Sequence, residues 1–298
     1  MAELRATVLV PTHHHGPTLH ESVGTALAQS VPDIEVLIVG DGVSDATRDA
    51  ASQLSRSDRR VRFLEFPKGP RNGEIHRHAA LMGARGRIVC YLSDDDLWFP
   101  DHVAAMDELL TGEVGFAHAL PLRIEPDGAI GDWSVDLALP YYRQQIIAGR
   151  NWIPLSCGAH TLEAYRRLTA GWTTTPSGWV GTDVYMWRKL LGSGVAVAGC
   201  TRPTVLVFPS PDRRGWASER RVEELGLWRK RIADPTWRGE FSGTVLAYFV
   251  GMRARERSRR GVARMLSAAA RVRLLAPVLA SSVRLRSAAR AAVARARR

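Results

Sequence analysis

The sequence predicts an α/β fold, a mainly parallel sheet flanked by helices, on three observations. Apolar strand runs alternate with helical patterns over the first 120 residues, the connections are short, and the runs are continuous, as strands covered on both faces require. In order, residues 7–10 form a buried-strand run, 18–29 a helix, 35–39 a strand, 45–54 a helix, 61–66 a strand, 73–84 a helix and 87–92 a strand. A helix after Pro100 runs to residue 110, a strand covers 114–119, and Pro126-Asp127-Gly128 marks a turn between two short strands. Residues 139–180, rich in Trp, Gly, Pro and Thr, suit an irregular pocket wall more than a regular element. A helix opens near Gly181-Thr182-Asp183, a strand occupies about 195–208, and helices at roughly 217–233 and 241–260 lead into the C-terminal tail.

With 298 residues, 45% apolar and 24% charged, the chain has the material for a packed core. The net charge of +11 describes a tail: residues 253–298 hold fourteen Arg against one acid, Glu256, so the rest of the chain is slightly acidic. That distribution argues against a nucleic-acid-binding catalytic surface. Cys90, Cys157 and Cys200 are too few and too scattered for a disulfide framework or a zinc site. No apolar signal run opens the chain and no uncharged stretch reaches the roughly 20 residues that span a bilayer, so a cytoplasmic protein is expected.

In an open parallel sheet, ligands sit at the carboxyl ends of the strands. Three polar turns follow such ends here: Pro11-Thr12-His13, Gly40-Asp41-Gly42 and Ser93-Asp94-Asp95-Asp96. Three adjacent carboxylates repel one another unless a cation or donor groups offset them, and Mg²⁺ or Mn²⁺ that also meets a diphosphate would do so. The same residues equally suit an acidic cap for the helix after Pro100, or a solvated turn. Asp41 can accept hydrogen bonds from a base or ribose, or serve as an ordinary Asp-Gly turn residue. The segment is not a GxGxxG fingerprint, so hydride chemistry has no support.

Taken together, Val8-Leu-Val-Pro11-Thr12, the run from Ala28 to Val36, Val39-Gly40-Asp41-Gly42, Asp45-Ala46-Thr47 and the stretch from Tyr91 to Asp101 resemble a family 2 glycosyltransferase with the GT-A fold. The resemblance covers about residues 6–111 and resumes at Ala170-Gly171-Trp172 and from Gly181 to Arg188. It implies inverting transfer from a nucleotide-diphosphate sugar, most often UDP-linked, with Mn²⁺ or Mg²⁺, to a saccharide, lipid-linked or other hydroxyl acceptor. Carried onto this chain, it places Pro11 and Thr12 beside the base, Asp41 at base or ribose, and Asp94 and Asp95 at ribose and metal. Asp95 is the expected metal ligand and Asp96 a helper. Arg77 matches a polar or basic position near the nucleotide, where a cation facing a diphosphate has a clear purpose; a solvated helix charge is the alternative. Asp183 matches the general base, though Thr182 or Asp183 would also cap the helix that follows.

The chain departs from the family at Gly40, Ser93 and Thr182, each where an acid is common, which leaves open a reduced metal dependence. His13-His14-His15 replaces the usual aromatic and amide positions; neighbouring histidines rarely point the same way, so lining of the nucleotide pocket or solvation is expected rather than metal binding. Asn151-Trp152-Ile153-Pro154 with Trp172, Trp179 and Trp187 suits acceptor walls or ordinary core. Arg213-Arg214-Gly215-Trp216 reads as a lid carrying an Arg pair, with Arg214 facing ligand, or as a solvated loop. The expected organisation is a GT-A catalytic domain at 1–215, with a nucleotide-sugar half to about 120 and an acceptor half from 121, a helical region at 216–260 and an Arg/Ala-rich tail at 261–298. The basic segment 253–298 would attach the protein peripherally to an anionic membrane, on the inner face, with nucleic acid, an acidic protein partner or plain disorder as the alternatives. The competing reading is a degenerate GT-A relative, or a basic-tail adaptor, that binds nucleotide or a partner without transfer.

Overall fold

The computed structural model describes residues 4–132, 135–179 and 181–248. The first half follows the expected alternation: β1 (Leu4–Thr12), α1 (Leu19–Leu27), β2 (Ile34–Asp41), α2 (Asp45–Ser57), β3 (Val61–Phe66), α3 (Glu74–Met82) and β4 (Gly86–Tyr91). Then come β5 (Leu97–Trp98), α4 (His102–Leu109), β6 (Val114–Ile124), β7 (Ile130–Asp132), α5 (Pro140–Ile147), β8 (Gly158–Thr161), α6 (Leu162–Arg166), α7 (Thr182–Gly192), β9 (Ala196–Val207) and α8 (Ser218–Ala233). Local chemistry sets the boundaries. Ser44 caps α2 by accepting from the Thr47 N–H, and the helix buries Thr47, Ala50, Ala51 and Leu54 along one face. All eight residues of β2 are buried, which is why its sequence is continuously apolar apart from Glu35 and Asp41.

The sheet runs β3-β2-β1-β4-β8-β6-β9-β5, with β7 paired to β6. Its long ladders, β1 with β2 and β4, β2 with β3, and β6 with β9, are parallel; the antiparallel ladders hold three residue pairs or fewer. The chain leaves β1 toward β2 and β3, then returns to β4 on the other side of β1. This reversal opens a crevice at the carboxyl ends of β1 and β4, the place where such sheets bind ligands.

Two features differ from expectation. Residues 139–180 contain α5, β8 and α6, and β8 lies in the middle of the sheet, joining β4 to β6. Its four residues, Gly-Ala-His-Thr, carry no apolar run; neighbouring strands create the strand environment. The strand predicted at 114–119 continues to Ile124, where Pro126-Asp127-Gly128 turns it back along β7. Trp98, Trp187, Tyr91, Phe116 and Phe208 are among the largest fully buried side chains.

Residues Met1–Glu240 form one compact unit that includes α8. In the second unit, residues 241–248 are helical. The rest of the helix expected at 241–260 and the basic tail lie outside the described residues. Among the described residues no helix is long and apolar enough to cross a membrane.

Candidate functional site

Two strand ends meet across the crevice. Thr12, closing β1, donates from Oγ1 to Asp94 Oδ2 at 2.7 Å, and Thr18 donates to the Asp94 carbonyl at 2.6 Å. His15 Nδ1 lies 3.1 Å from Asp94 Oδ1, and this contact pushes the imidazole pKa up to about 8. Ligand atoms of His15, Asp94 and Asp95 all lie within 4.8 Å of one another. One imidazole nitrogen and two carboxylates form a donor set that suits Mn²⁺, which accepts oxygen and imidazole ligands. The histidine run thus differs from expectation: a single member turns toward the carboxylates, so the objection to three neighbouring ligands does not arise.

The three aspartates have separate surroundings. Asp95 Oδ2 accepts from Ser210 Oγ at 2.5 Å and from Arg221 Nη2 at 2.9 Å. Burial and the neighbouring Asp94 charge raise its pKa. Asp96, expected as a second metal ligand, faces the fold: Ser156 donates to Oδ2 at 2.5 Å and the Phe208 N–H to Oδ1 at 2.8 Å. Burial, with Asp95 adding, pushes the Asp96 carboxyl up to about 7. The observed cluster is therefore His15, Asp94 and Asp95, with Asp96 tying the turn to β9 and to the segment before β8.

Asp41 closes β2. Gly69 N–H donates to its Oδ1 at 2.5 Å, Lys68 Nζ meets Oδ2 at 2.5 Å, and His76 Nε2 stands 3.4 Å from Oδ1. Burial raises its pKa, but these donors outweigh that and hold it below the usual carboxylate value. Gly73, at φ +64° before α3, lets the backbone come this close: a Cβ there would lie 2.4 Å from Asp41 Cγ. Pro11 is half-buried beside Thr12 on β1.

From α3, the buried Arg77 donates to Thr182 Oγ1 at 3.3 Å and to the Asn72 carbonyl at 3.2 Å, and lies over the Trp172 ring at 4.7 Å. Burial lowers its pKa, opposed by the charges of Glu74, Asp183 and Asp41. Arg77 is thus a bridge between the halves, not a solvated helix charge. Asp183 sits in the first turn of α7, after Gly181 at φ +94°, a conformation only glycine adopts easily. Asn151 Nδ2 donates to Asp183 Oδ2 at 2.8 Å, and the Val184 N–H to Oδ1 at 2.9 Å. Burial raises the Asp183 pKa, with these donors opposing.

The tryptophans divide. Trp172 and Trp187 are core: their indole N–H groups donate to Tyr91 Oη at 2.9 Å and the Ile153 carbonyl at 2.8 Å. Trp152 and Trp179 are half-buried near Asn151 and α7; Trp179 carries Arg188 over its ring at 4.9 Å. The expected arginine pair divides too. Arg213 is buried and paired with Glu224, whereas exposed Arg214 lines a pocket of about 220 Å³ with His15, Ser210, Trp216 and Arg221. Sequence reading missed Lys68, Ser210 and Arg221, and took Asn151 only as part of a wall. Their spacing carries no signal, because each meets its partner through tertiary packing.

The Glycosyl transferase family 2 profile matches residues 7–167. TuaG of Bacillus subtilis, whose name assigns it to teichuronic acid biosynthesis, is 32% identical over 106 residues, 35% of this chain and 41% of TuaG. WfgD of Escherichia coli, a UDP-Glc:alpha-D-GlcNAc-diphosphoundecaprenol beta-1,3-glucosyltransferase, is 25% identical over 144 residues, 47% of this chain and 55% of WfgD. The matched region thus spans about half of these relatives or less. Among solved structures, the Pyrobaculum calidifontis mannosyltransferase PcManGT with GDP-Man and Mn²⁺ superposes at TM-score 0.51 and 22% identity, covering 96% of this chain and 81% of that one. Staphylococcus aureus TarS 1–349 with UDP-GlcNAc superposes at TM-score 0.54 and 12% identity, covering 77% and 70%. The fold is that of the GT-A enzymes, and the profile match over more than half of the chain places this protein in glycosyl transferase family 2.

Proposed function

We propose that the protein transfers a sugar, with inversion, from a nucleotide-diphosphate sugar to a hydroxyl of a saccharide or lipid-linked acceptor, UDP being the preferred carrier. The observation that carries this reading is the convergence of His15, Asp94 and Asp95 within 4.8 Å at the sheet's switch point. These three residues would hold a divalent Mn²⁺ or Mg²⁺, which, when bound, neutralises charge on the leaving diphosphate. Pro11, Thr12 and Asp41 border the nucleoside side of the crevice, and Arg77 supplies a fixed cation between the two halves. Asp183 takes the proton of the acceptor hydroxyl as that oxygen bonds to the anomeric carbon and the bond to the diphosphate breaks. Its raised pKa strengthens it as a base, while Asn151 at Oδ2 and the Val184 N–H at Oδ1 fix the orientation of the carboxylate. Trp152 and Trp179 offer apolar ring surface on the acceptor side, and Arg214 an exposed cation in the pocket wall.

WfgD acts on an undecaprenol-diphosphate-linked saccharide by name. An acceptor of that class lies at a membrane, and fourteen arginines in residues 253–298 suit a peripheral attachment to its anionic inner surface. Calorimetric titration of UDP, GDP and dTDP, with and without Mn²⁺, into the wild type and Asp95→Ala tests the reading. Metal-dependent binding of one nucleotide, lost in the variant, supports it; a folded protein that binds none of them refutes it.

A further inference from the structure

Arg221 reaches the acidic cluster from α8, 126 residues away in sequence. Its Nη2 lies 2.9 Å from Asp95 Oδ2, the same oxygen that Ser210 meets at 2.5 Å, and its Nε is buried without a hydrogen-bond partner. The helix that delivers it is held firmly. Glu224 on the next turn pairs with Arg213 at 2.6 Å through both oxygens, and Arg229 reaches Glu21 and the His20 carbonyl on α1. Beside Arg221 opens the pocket of about 220 Å³, whose wall also holds His15, Ser210 and Arg214. That volume equals about seven waters, enough for a group of diphosphate size.

A carboxylate oxygen cannot hold a guanidinium and a divalent ion together without cation–cation repulsion. A diphosphate, in turn, is a better partner for a guanidinium than one shared carboxylate oxygen, since it offers paired oxygens to the planar fork. We propose that Arg221 is the resident cation of the metal site, holding Asp95 while the donor is absent and transferring to the donor's diphosphate when Asp95 takes the metal. The inference rests on the reading of His15, Asp94 and Asp95 as the metal site. It makes metal and diphosphate binding mutually reinforcing, because the metal frees Arg221 for the diphosphate and the diphosphate frees Asp95 for the metal, and linkage requires the two enhancements to be equal.

The test measures Mn²⁺ affinity alone, by electron paramagnetic resonance of free Mn²⁺, and affinity for the preferred nucleoside diphosphate in saturating Mn²⁺, by calorimetry. In Arg221→Gln, Mn²⁺ alone binds roughly tenfold tighter, while the nucleoside diphosphate binds roughly tenfold weaker, changes typical of coupled sites. Binding of the corresponding nucleoside, which has no diphosphate, is unchanged. A purely structural Arg221 would weaken both or neither, and either result overturns the proposal. Arg221→Lys, which retains the cation with less reach, shows smaller changes in the same directions, and it carries the test should Arg221→Gln fail to fold. If the wild type binds neither metal nor nucleotide, the metal-site reading itself fails and this inference falls with it. If the wild type binds both and the Arg221 variants leave both affinities within about twofold, only this inference fails.

Discussion

Asn151 donates from Nδ2 to Asp183 Oδ2 at 2.8 Å, so the carboxylate at the head of α7 is oriented by a residue that lies outside that helix. The bond stabilises the ionised form and opposes the rise in pKa that burial causes. In Asn151→Ala that opposition is lost. The acid limb of the kcat/KM profile, set by deprotonation of the base, should move to higher pH, and turnover at neutral pH should fall as orientation is lost. A pH–rate series on both proteins checks this; an unchanged acid limb would show that Asp183 is not the titrating base.

Asp95 and Asp96 are adjacent in sequence but differ in their contacts. Asp95→Asn should weaken Mn²⁺ binding at least about tenfold, and Asp96→Asn should leave it near wild type. Asparagine at 96 can still accept from the Phe208 N–H and donate to Ser156, so both contacts survive.

The same substitution has a pH signature in stability. The folded Asp96 pKa, about 7, lies above its unfolded value, so ionisation costs the folded state progressively between about pH 4 and pH 7 and in full above that. Asp96→Asn should be as stable as the wild type near pH 4 and more stable above pH 7. Urea midpoints at the two pH values measure the difference.

Arg77 joins α3 to Thr182, at the start of α7, and lies over Trp172. Arg77→Met keeps much of the packing volume and removes the cation, so thermal stability should change little while turnover falls at least about tenfold. A large loss of melting temperature with normal turnover would show that the bridge is structural alone.

Glu35 offers a control far from the chemistry. It is fully buried and accepts from Thr7 Oγ1 at 2.8 Å and from the Arg85 N–H at 2.6 Å and Nε at 3.0 Å. Glu35→Ala leaves those donors unsatisfied and should cost about 3 kcal/mol in chemical denaturation, with activity per folded molecule unchanged.

Sequence by itself determined the parallel half of the sheet and the positions of its three polar strand ends. Continuous apolar runs such as Val36-Leu37-Ile38-Val39 permit little except a strand buried on both faces, and Asp41, Thr12 and Asp94 follow directly from where those strands stop. The residues around the irregular middle were less legible. Gly158-Ala159-His160-Thr161 is a strand because β4 and β6 bracket it, and its own composition does not require one. Tertiary structure alone decided which atoms meet: that His15, of three histidines, faces Asp94, that Asp96 turns inward to Ser156 and Phe208, and that Arg221 occupies Asp95. The physical reason is range. Strand and helix signals are carried by neighbouring residues, whereas a charged site is assembled from pairs such as Asp95 and Arg221, 126 positions apart, whose pairing depends on packing and burial rather than on spacing.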